Sequence, residues 1–324
     1  MRALVCTSFG PVGDLSVQEL PTPTPGERQV VIRVAAAGLN YPDALIVQGK
    51  YQARPPLPFV PGMELAGTIT AVGARVEAYR VGDAVMATGQ TGAFAEACVV
   101  PVERVMRRPE AIPPDVAAAS LITYGTTYHA LKDRARLRPG ETVLVLGAAG
   151  GVGTAAIELA KLMGARVIAA ALSQAKLAVC RRLGADAVVD YATEPLRERL
   201  KELTGGQGVD VVYDPVGGPY AEVALRGTGW DGRYLVIGFA AGEIPKVPLN
   251  LALLNARSIL GVYWGDWAQR QPAANQANCT QLAEWIAAEK LRPVISERLP
   301  LEEVPLAMLD LIERRTHGKL VVVP

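Results

Sequence analysis

No C-x-x-C pair occurs in these 324 residues: Cys6, Cys98, Cys180 and Cys279 stand far apart. That spacing excludes a zinc knuckle and a redox dithiol, and it suits free thiols in a reducing compartment. Aromatic residues make up only 6% of the chain, so a core must be built mainly from Ala, Val, Leu and Ile; hydrophobic residues, at 50%, are enough for one. An excess of one charge is also missing. Lys and Arg number 33 against 32 Asp and Glu, a net charge of +1, which gives no electrostatic ground for a nucleic acid or an anionic membrane as partner. Short basic pairs such as Arg181-Arg182 and Arg314-Arg315 read as solvated helix faces. No apolar run approaches the roughly 18 residues of a membrane span. The N-terminus runs straight into "RALVC", without a basic and then apolar leader, so a cytoplasmic location is expected.

What is present falls into three stretches. Residues 1–122 are rich in short β-prone runs, such as "QVVIRVAAAG", "ELAGTITAVG" and "FAEACVV", separated by Gly and Pro. "YPDALIVQ" has helical character, with Pro42 suited to a first turn. After Leu121, apolar strand-like runs at 142–147, 166–170, 187–190, 209–213, 233–238 and 257–262 alternate with helical runs that include 151–163, 174–183 and 195–203. Such alternation predicts right-handed βαβ crossovers and a parallel sheet, and six strands complete a doubly wound dinucleotide fold. From about Gly265 the alternation stops. Two amphipathic helices and a closing strand, "KLVVV", are too little for a separate domain. The tail is therefore expected to return to the first domain, so that 1–122 and 266–324 form one discontinuous domain and 123–265 an inserted nucleotide-binding one.

Gly147-Ala-Ala-Gly150-Gly151-Val-Gly153 lies between a predicted strand and a predicted helix. Small residues there let the backbone approach a pyrophosphate, and the helix N-terminus offers N–H groups and partial positive charge. Gly147, Ala149, Gly150, Gly151 and Val152 are the expected cradle. The second strand then ends without the acid that holds the ribose hydroxyl of NAD. Between Gly153 and Asp186 the only acid is Glu158, inside the helix; Ser173 and Lys176 follow the second strand and Tyr191 the third. A hydroxyl and an ammonium favour a 2′-phosphate. NADPH is the expected cofactor.

"AAGLNYPDALIVQGKY", "PPLPFVPGMELAGTITAVG", "LITYGTTYHAL", "RPGETVLVLGAAGGVG" and "HGKLVVVP" resemble the zinc-free, zeta-crystallin-like quinone oxidoreductase branch of the medium-chain dehydrogenase/reductase superfamily. The resemblance covers essentially the whole chain. It implies an α/β protein with a GroES-like β-rich catalytic domain and a six-stranded Rossmann domain. Zinc-dependent members of the superfamily carry Cys where this chain has Asn40, His where it has Met63, and a third ligand near Ile122. Asn, Met and Ile do not build a tetrahedral N/S site, so no metal is expected, although Glu64 remains. Without zinc or a Tyr-Lys pair, alcohol oxidation lacks an alkoxide stabiliser. Reduction of a quinone or an activated C=C bond asks less of the protein.

By the same resemblance, Asn40 and Asp43 lie beside the nicotinamide, and Thr126 or Thr127 contacts that region. Tyr51 matches a tyrosine that related enoyl reductases use near the substrate, which makes it a candidate proton donor; the alternative is an aromatic wall. Asp43 also reads simply as a helix first-turn acid. Gly217-Gly218, Gly238-Phe239 and Tyr263-Trp264 follow the fourth, fifth and sixth predicted strands, where ligands of such sheets bind. Arg314 is a second candidate for the 2′-phosphate, or else a solvated residue complementing a helix C-terminus. Tyr41, Leu45, Tyr51, Trp264 and Trp267 would wall a pocket suited to flat rings, with Phe239 beside them. His129, mid-helix, reads as structural. The sixth strand is an open edge, and relatives pair it across a two-fold axis, so a homodimer is expected. The readings in competition are an enoyl-thioester or alkenal double-bond reductase, with Arg54 a thin clue to a CoA phosphate, and a non-catalytic NADPH-binding protein.

Overall fold

The computed structural model describes all 324 residues. The chain divides into two compact units, Met1–Ile122 with Pro293–Pro324, and Thr123–Arg292.

The first unit is built on the strand Gln29–Leu39, whose 11 residues are mostly small or β-branched and mostly buried. It pairs antiparallel with Glu64–Val72, with Ala97–Pro101 and with the C-terminal strand Lys319–Val322. Ile295–Leu299, Ala84–Thr88 and Val105–Arg107 complete a seven-stranded sheet, and Arg2–Val5 with Ser16–Glu19 forms a two-stranded one. The core gathers Leu4, Ile32, Leu65, Ile69 and Phe94, with Val304 and Met308 from the tail helix Val304–Ile312. The last strand docks because all four of its side chains are buried there, in the register Leu320↔Leu39, Val321↔Gly38 and Val322↔Ala37.

The second unit holds a six-stranded, wholly parallel sheet. Its spatial order is Ala187–Asp190, Arg166–Ala171, Thr142–Val145, Val209–Asp214, Thr228–Val236, Ser258–Gly261. Numbered along the chain this is 3-2-1-4-5-6, the complete doubly wound order. Val143, Leu144 and Val145 are all excluded from solvent, as a central strand covered on both faces requires. Helices Gly151–Leu162, Gln174–Arg182 and Leu196–Leu203 stand within a residue or so of their expected places. The fifth strand departs from expectation. It starts at Thr228 rather than 233, because Thr228 pairs with Val209 before a register shift resumes pairing at Val211↔Arg233. The intervening "GWDG" looks like a turn in sequence, and Asp231 does take a positive φ of 55°.

The boundary expected at 266 falls at Pro293 instead. Residues 266–292 stay with the second unit through side chains that sequence periodicity does not weigh. In the helix Pro272–Ala287, Trp285 packs edge-on against Tyr128, and Asn278 accepts from Lys132 and donates to Asp133. No helix is long and apolar enough to cross a membrane.

Candidate active site

In the second unit the strand Thr142–Val145 leads into the glycine turn. Gly147 has φ 55°, and a Cβ there would lie 2.8 Å from the Val216 side chain. A Cβ on Gly153 would lie 2.4 Å from the Gly147 carbonyl oxygen, so helix Gly151–Leu162 packs too closely against the turn for any side chain at that point. Gly150 is the helix N-cap, and no acid stands in the first turn. The N-terminal N–H groups and the dipole of this 12-residue helix make an anion site at the carboxyl end of the first strand, beside the switch point between the first and fourth strands. A dinucleotide pyrophosphate fits this cradle.

After the second strand, Ser173 caps helix Gln174–Arg182; its Oγ accepts the Lys176 N–H at 3.4 Å. The half-buried Lys176 thus begins its side chain in the first turn of that helix. Tyr191 is buried, its ring 4.4 Å from that of Tyr220. Two carboxylates in this unit have other employment. Glu158 accepts the Tyr124 hydroxyl and the Arg292 N–H, and burial raises its pKa. Asp190, at the end of the third strand, accepts from the Ala192 N–H and the Gln174 side chain.

Asp214 organises the far side of the switch point, a role that sequence reading missed. Its Oδ1 accepts the N–H groups of Val216 at 2.7 Å and Gly217 at 2.8 Å, while Oδ2 accepts the Tyr234 hydroxyl. Burial pushes its pKa up. Backbone bonds from Gly238, Ala240 and Ala241 to Asp214, Pro215 and Val216 tie the loops after the fourth and fifth strands together. Gly217, Gly218, Gly238 and Phe239 therefore form one rim, with Phe239 exposed on it. An aspartate followed three and four residues later by glycine, at the end of an apolar strand, is the signal that could have found it.

Thr127 and Thr126 separate clearly. The Thr127 hydroxyl is tied to Tyr213 at 2.8 Å, whereas Thr126 is only half-buried. Trp264 donates to Asn275 and lies where a Cβ on Gly125 would be. Trp267 stacks on His129 at 4.0 Å, and His129 is held by Asp133. Tyr263 is exposed.

In the first unit, Asn40 precedes helix Tyr41–Val47, which begins with Pro at its second position and carries Asp43 in its first turn. The Asn40 N–H donates to Asp43 Oδ2 at 2.8 Å. Its side chain is wholly committed: Oδ1 accepts from Lys319 Nζ at 2.8 Å, and Nδ2 donates to the Gly38 carbonyl and to Glu64 Oε1. Asp43 is fully buried, and burial pushes its carboxyl up to about 7 against the opposing effects of the Asn40 N–H and Lys319. The Glu64–Lys319 ion pair is buried at 2.7 Å. Lys319 too was missed, although a lysine opening the apolar run "KLVVV" signals a buried cation with a partner. Met63 packs against the core, and the Ile122 N–H donates to Glu64 Oε2. Tyr51 packs half-buried against the same core, and Leu45 is half-buried. Arg314, exposed at φ 59° just past helix Val304–Ile312, acts electrostatically on Tyr41, opposing the rise that burial gives the phenol.

Residues 26–110 match the alcohol dehydrogenase GroES-like domain family and residues 151–284 the zinc-binding dehydrogenase family. A quinone oxidoreductase-like protein 2 homolog of Nematostella vectensis is 38% identical over 99% of this chain and 88% of its own length. A mycobacterial protein solved in complex with NADPH superposes with a TM-score of 0.94 at 31% identity, covering 100% of both chains. Escherichia coli quinone oxidoreductase, also complexed with NADPH, does so at 0.93 with 28% identity and the same coverage. With a GroES-like unit, a complete Rossmann sheet and relatives of this likeness, the chain belongs to the zinc-free quinone oxidoreductase branch of the medium-chain dehydrogenase/reductase superfamily.

Proposed function

We propose that this protein is an NADPH-dependent reductase of quinones or related α,β-unsaturated carbonyls, working without zinc. One observation carries the reading: the anion cradle at Gly147–Gly153 is followed, after the second strand, by a capping serine and a half-buried lysine, with every nearby carboxylate engaged elsewhere. The NADPH complexes of the mycobacterial and E. coli relatives support it.

When bound, the cofactor supplies a hydride to an electron-poor acceptor. The backbone at Gly147, Ala149, Gly150, Gly151 and Val152 cradles the pyrophosphate. Ser173 and Lys176 hold the 2′-phosphate through charge-assisted hydrogen bonds; Tyr191 and Arg314 are assigned the same ligand. Thr126, Gly217, Gly238, Phe239, Tyr263 and Trp264 line the remaining length of the cofactor. Tyr51 donates a hydrogen bond or proton to the oxygen that gains charge during reduction, with Tyr41, Leu45, Trp264 and Trp267 as apolar walls. Asn40 orients Asp43 through its backbone. The Asn40 amide is already bonded to Lys319, Glu64 and Gly38, and the half-buried Met63 packs against the core, which supports a site without zinc.

A steady-state screen of quinones, alkenals and enoyl-CoAs with NADPH and NADH tests the proposal. Turnover of quinones or enones with NADPH at a clearly higher specificity constant is expected. Equal constants for the two cofactors would remove the cofactor assignment. Stoichiometric NADPH binding without turnover would make the protein a binding module.

The sixth strand, Ser258–Gly261, is a largely exposed sheet edge. Leu253, Leu254 and Ile259 are exposed close to it in sequence. An apolar open edge favours pairing with a second copy, and a homodimer through this edge is part of the proposal. Four buried free thiols suit the reducing cytoplasm.

A further inference from the structure

Lys319 is the only charged residue of its strand and is 4% exposed. Its ammonium donates to the Leu39 carbonyl at 2.9 Å, Asn40 Oδ1 at 2.8 Å and Glu64 Oε1 at 2.7 Å. Three acceptors exhaust its three protons. Glu64, fully buried, accepts from Lys319 and Asn40 on Oε1 and from the Ile122 N–H on Oε2. The arrangement dictates how Asn40 sits. An ammonium only donates and a carboxylate only accepts, so Asn40 must turn Oδ1 to Lys319 and Nδ2 to Glu64. The flipped amide would set donor against donor and acceptor against acceptor.

We propose that Lys319 is a positioning residue for the reacting end of the site: by locking the Asn40 amide against Glu64, it fixes the Asn40 backbone N–H that holds Asp43 at the start of helix Tyr41–Val47. The inference rests on the function proposed above, which puts Asn40, Asp43 and Tyr41 at that end. Asp43 Oδ1 is buried with no hydrogen-bond partner, so the Asn40 N–H bond on Oδ2 is what orients this carboxyl. The charged groups that act on it are Lys319, from the C-terminal strand, and Glu64, from the strand Glu64–Val72.

Breaking a buried ion pair from one side is strongly destabilising, so the test removes both charges. Lys319→Met/Glu64→Gln leaves Asn40 Oδ1 without its donor. Lys319→Gln/Glu64→Gln is equally neutral but returns an amide N–H to it. For Lys319→Met/Glu64→Gln, kcat with a quinone is expected to fall at least tenfold and hydrogen-exchange protection of the Asn40 N–H at least tenfold, while NADPH affinity, read by fluorescence titration, changes less than twofold. Lys319→Gln/Glu64→Gln is expected to recover most of both losses. If the two variants behave alike in kcat and in protection, Lys319 only neutralises Glu64 and the inference is overturned. If the methionine variant does not fold, Lys319→Ala/Glu64→Gln takes its place, and the same comparison with Lys319→Gln/Glu64→Gln decides. A wild-type protein that turns over no acceptor, yet shows the exchange pattern, would sink the proposed function and leave the positioning role standing.

Discussion

The Asn40 backbone N–H donates to Asp43 Oδ2 at 2.8 Å, and the other oxygen of that carboxyl is buried without a partner. Asn40 is held in turn by Glu64 and Lys319, and all four residues are buried.

A pH dependence of stability follows. Burial raises Asp43 from 3.8 to about 7. The folded state therefore binds more protons than the unfolded chain between those values, and stability falls as pH rises through that window. Below about 4 both states are protonated, and above about 7 both are ionised, so the Asp43 contribution is flat there. Asp43→Asn is expected to flatten the decline, by an amount on the order of a few kcal/mol between pH 4 and 7. Thermal melts across that range decide it; an unchanged slope would remove Asp43 as its source.

Lys176→Ala is expected to weaken NADPH binding about tenfold or more, the worth of a charge-assisted hydrogen bond, with NADH affinity unchanged. Isothermal titration with each cofactor reads the difference. Equal losses for both would mean the lysine does not meet the 2′-phosphate.

Gly153→Ala forces a Cβ to within 2.4 Å of a backbone oxygen. Overpacking of this kind costs about 1–3 kcal/mol, and the turn is expected to open enough to weaken NADPH binding. Denaturant unfolding and cofactor titration measure the two effects. A variant equal to wild type in both would show that the turn is looser than its packing indicates.

Tyr51→Phe separates proton donation from wall packing. As a donor, its loss should lower kcat by about 10²-fold, the low end for general acid catalysis, with cofactor affinity kept. Single-turnover kinetics would show it, and unchanged rates for every acceptor would leave Tyr51 as a wall.

Ile259→Lys places a charge on the exposed edge strand and is expected to yield a monomeric mass by light scattering at micromolar concentration. The wild type should give twice that mass; a monomeric wild type would dispose of the dimer.

Much of this could be read before any coordinates. Five of the six parallel strands declared themselves as short apolar runs within a residue or two of their bounds, because a strand buried on both faces must be apolar throughout. Gly147 and Gly153 were legible since a positive φ at the first and a contact without room for a Cβ at both leave glycine as the residue that fits. The start of the fifth strand at Thr228 was not, because its pairing with Val209 overrides a local turn signal. The ownership of residues 266–292 was not either, since it depends on Asn278 and Trp285 meeting partners more than 140 residues earlier.

Local pattern by itself determined the fold class, the nucleotide cradle and the absence of an acid after the second strand, because each is a property of neighbours in the chain. Tertiary structure alone decided which side chains are free to act. Thr127 is spent on Tyr213, one face of Trp267 is covered by His129, and the Asn40 amide is held by Lys319 and Glu64. Lys319 lies 279 residues from Asn40 in sequence. A buried polar group must find its partner wherever the fold brings one, and no periodicity in the chain announces where that will be.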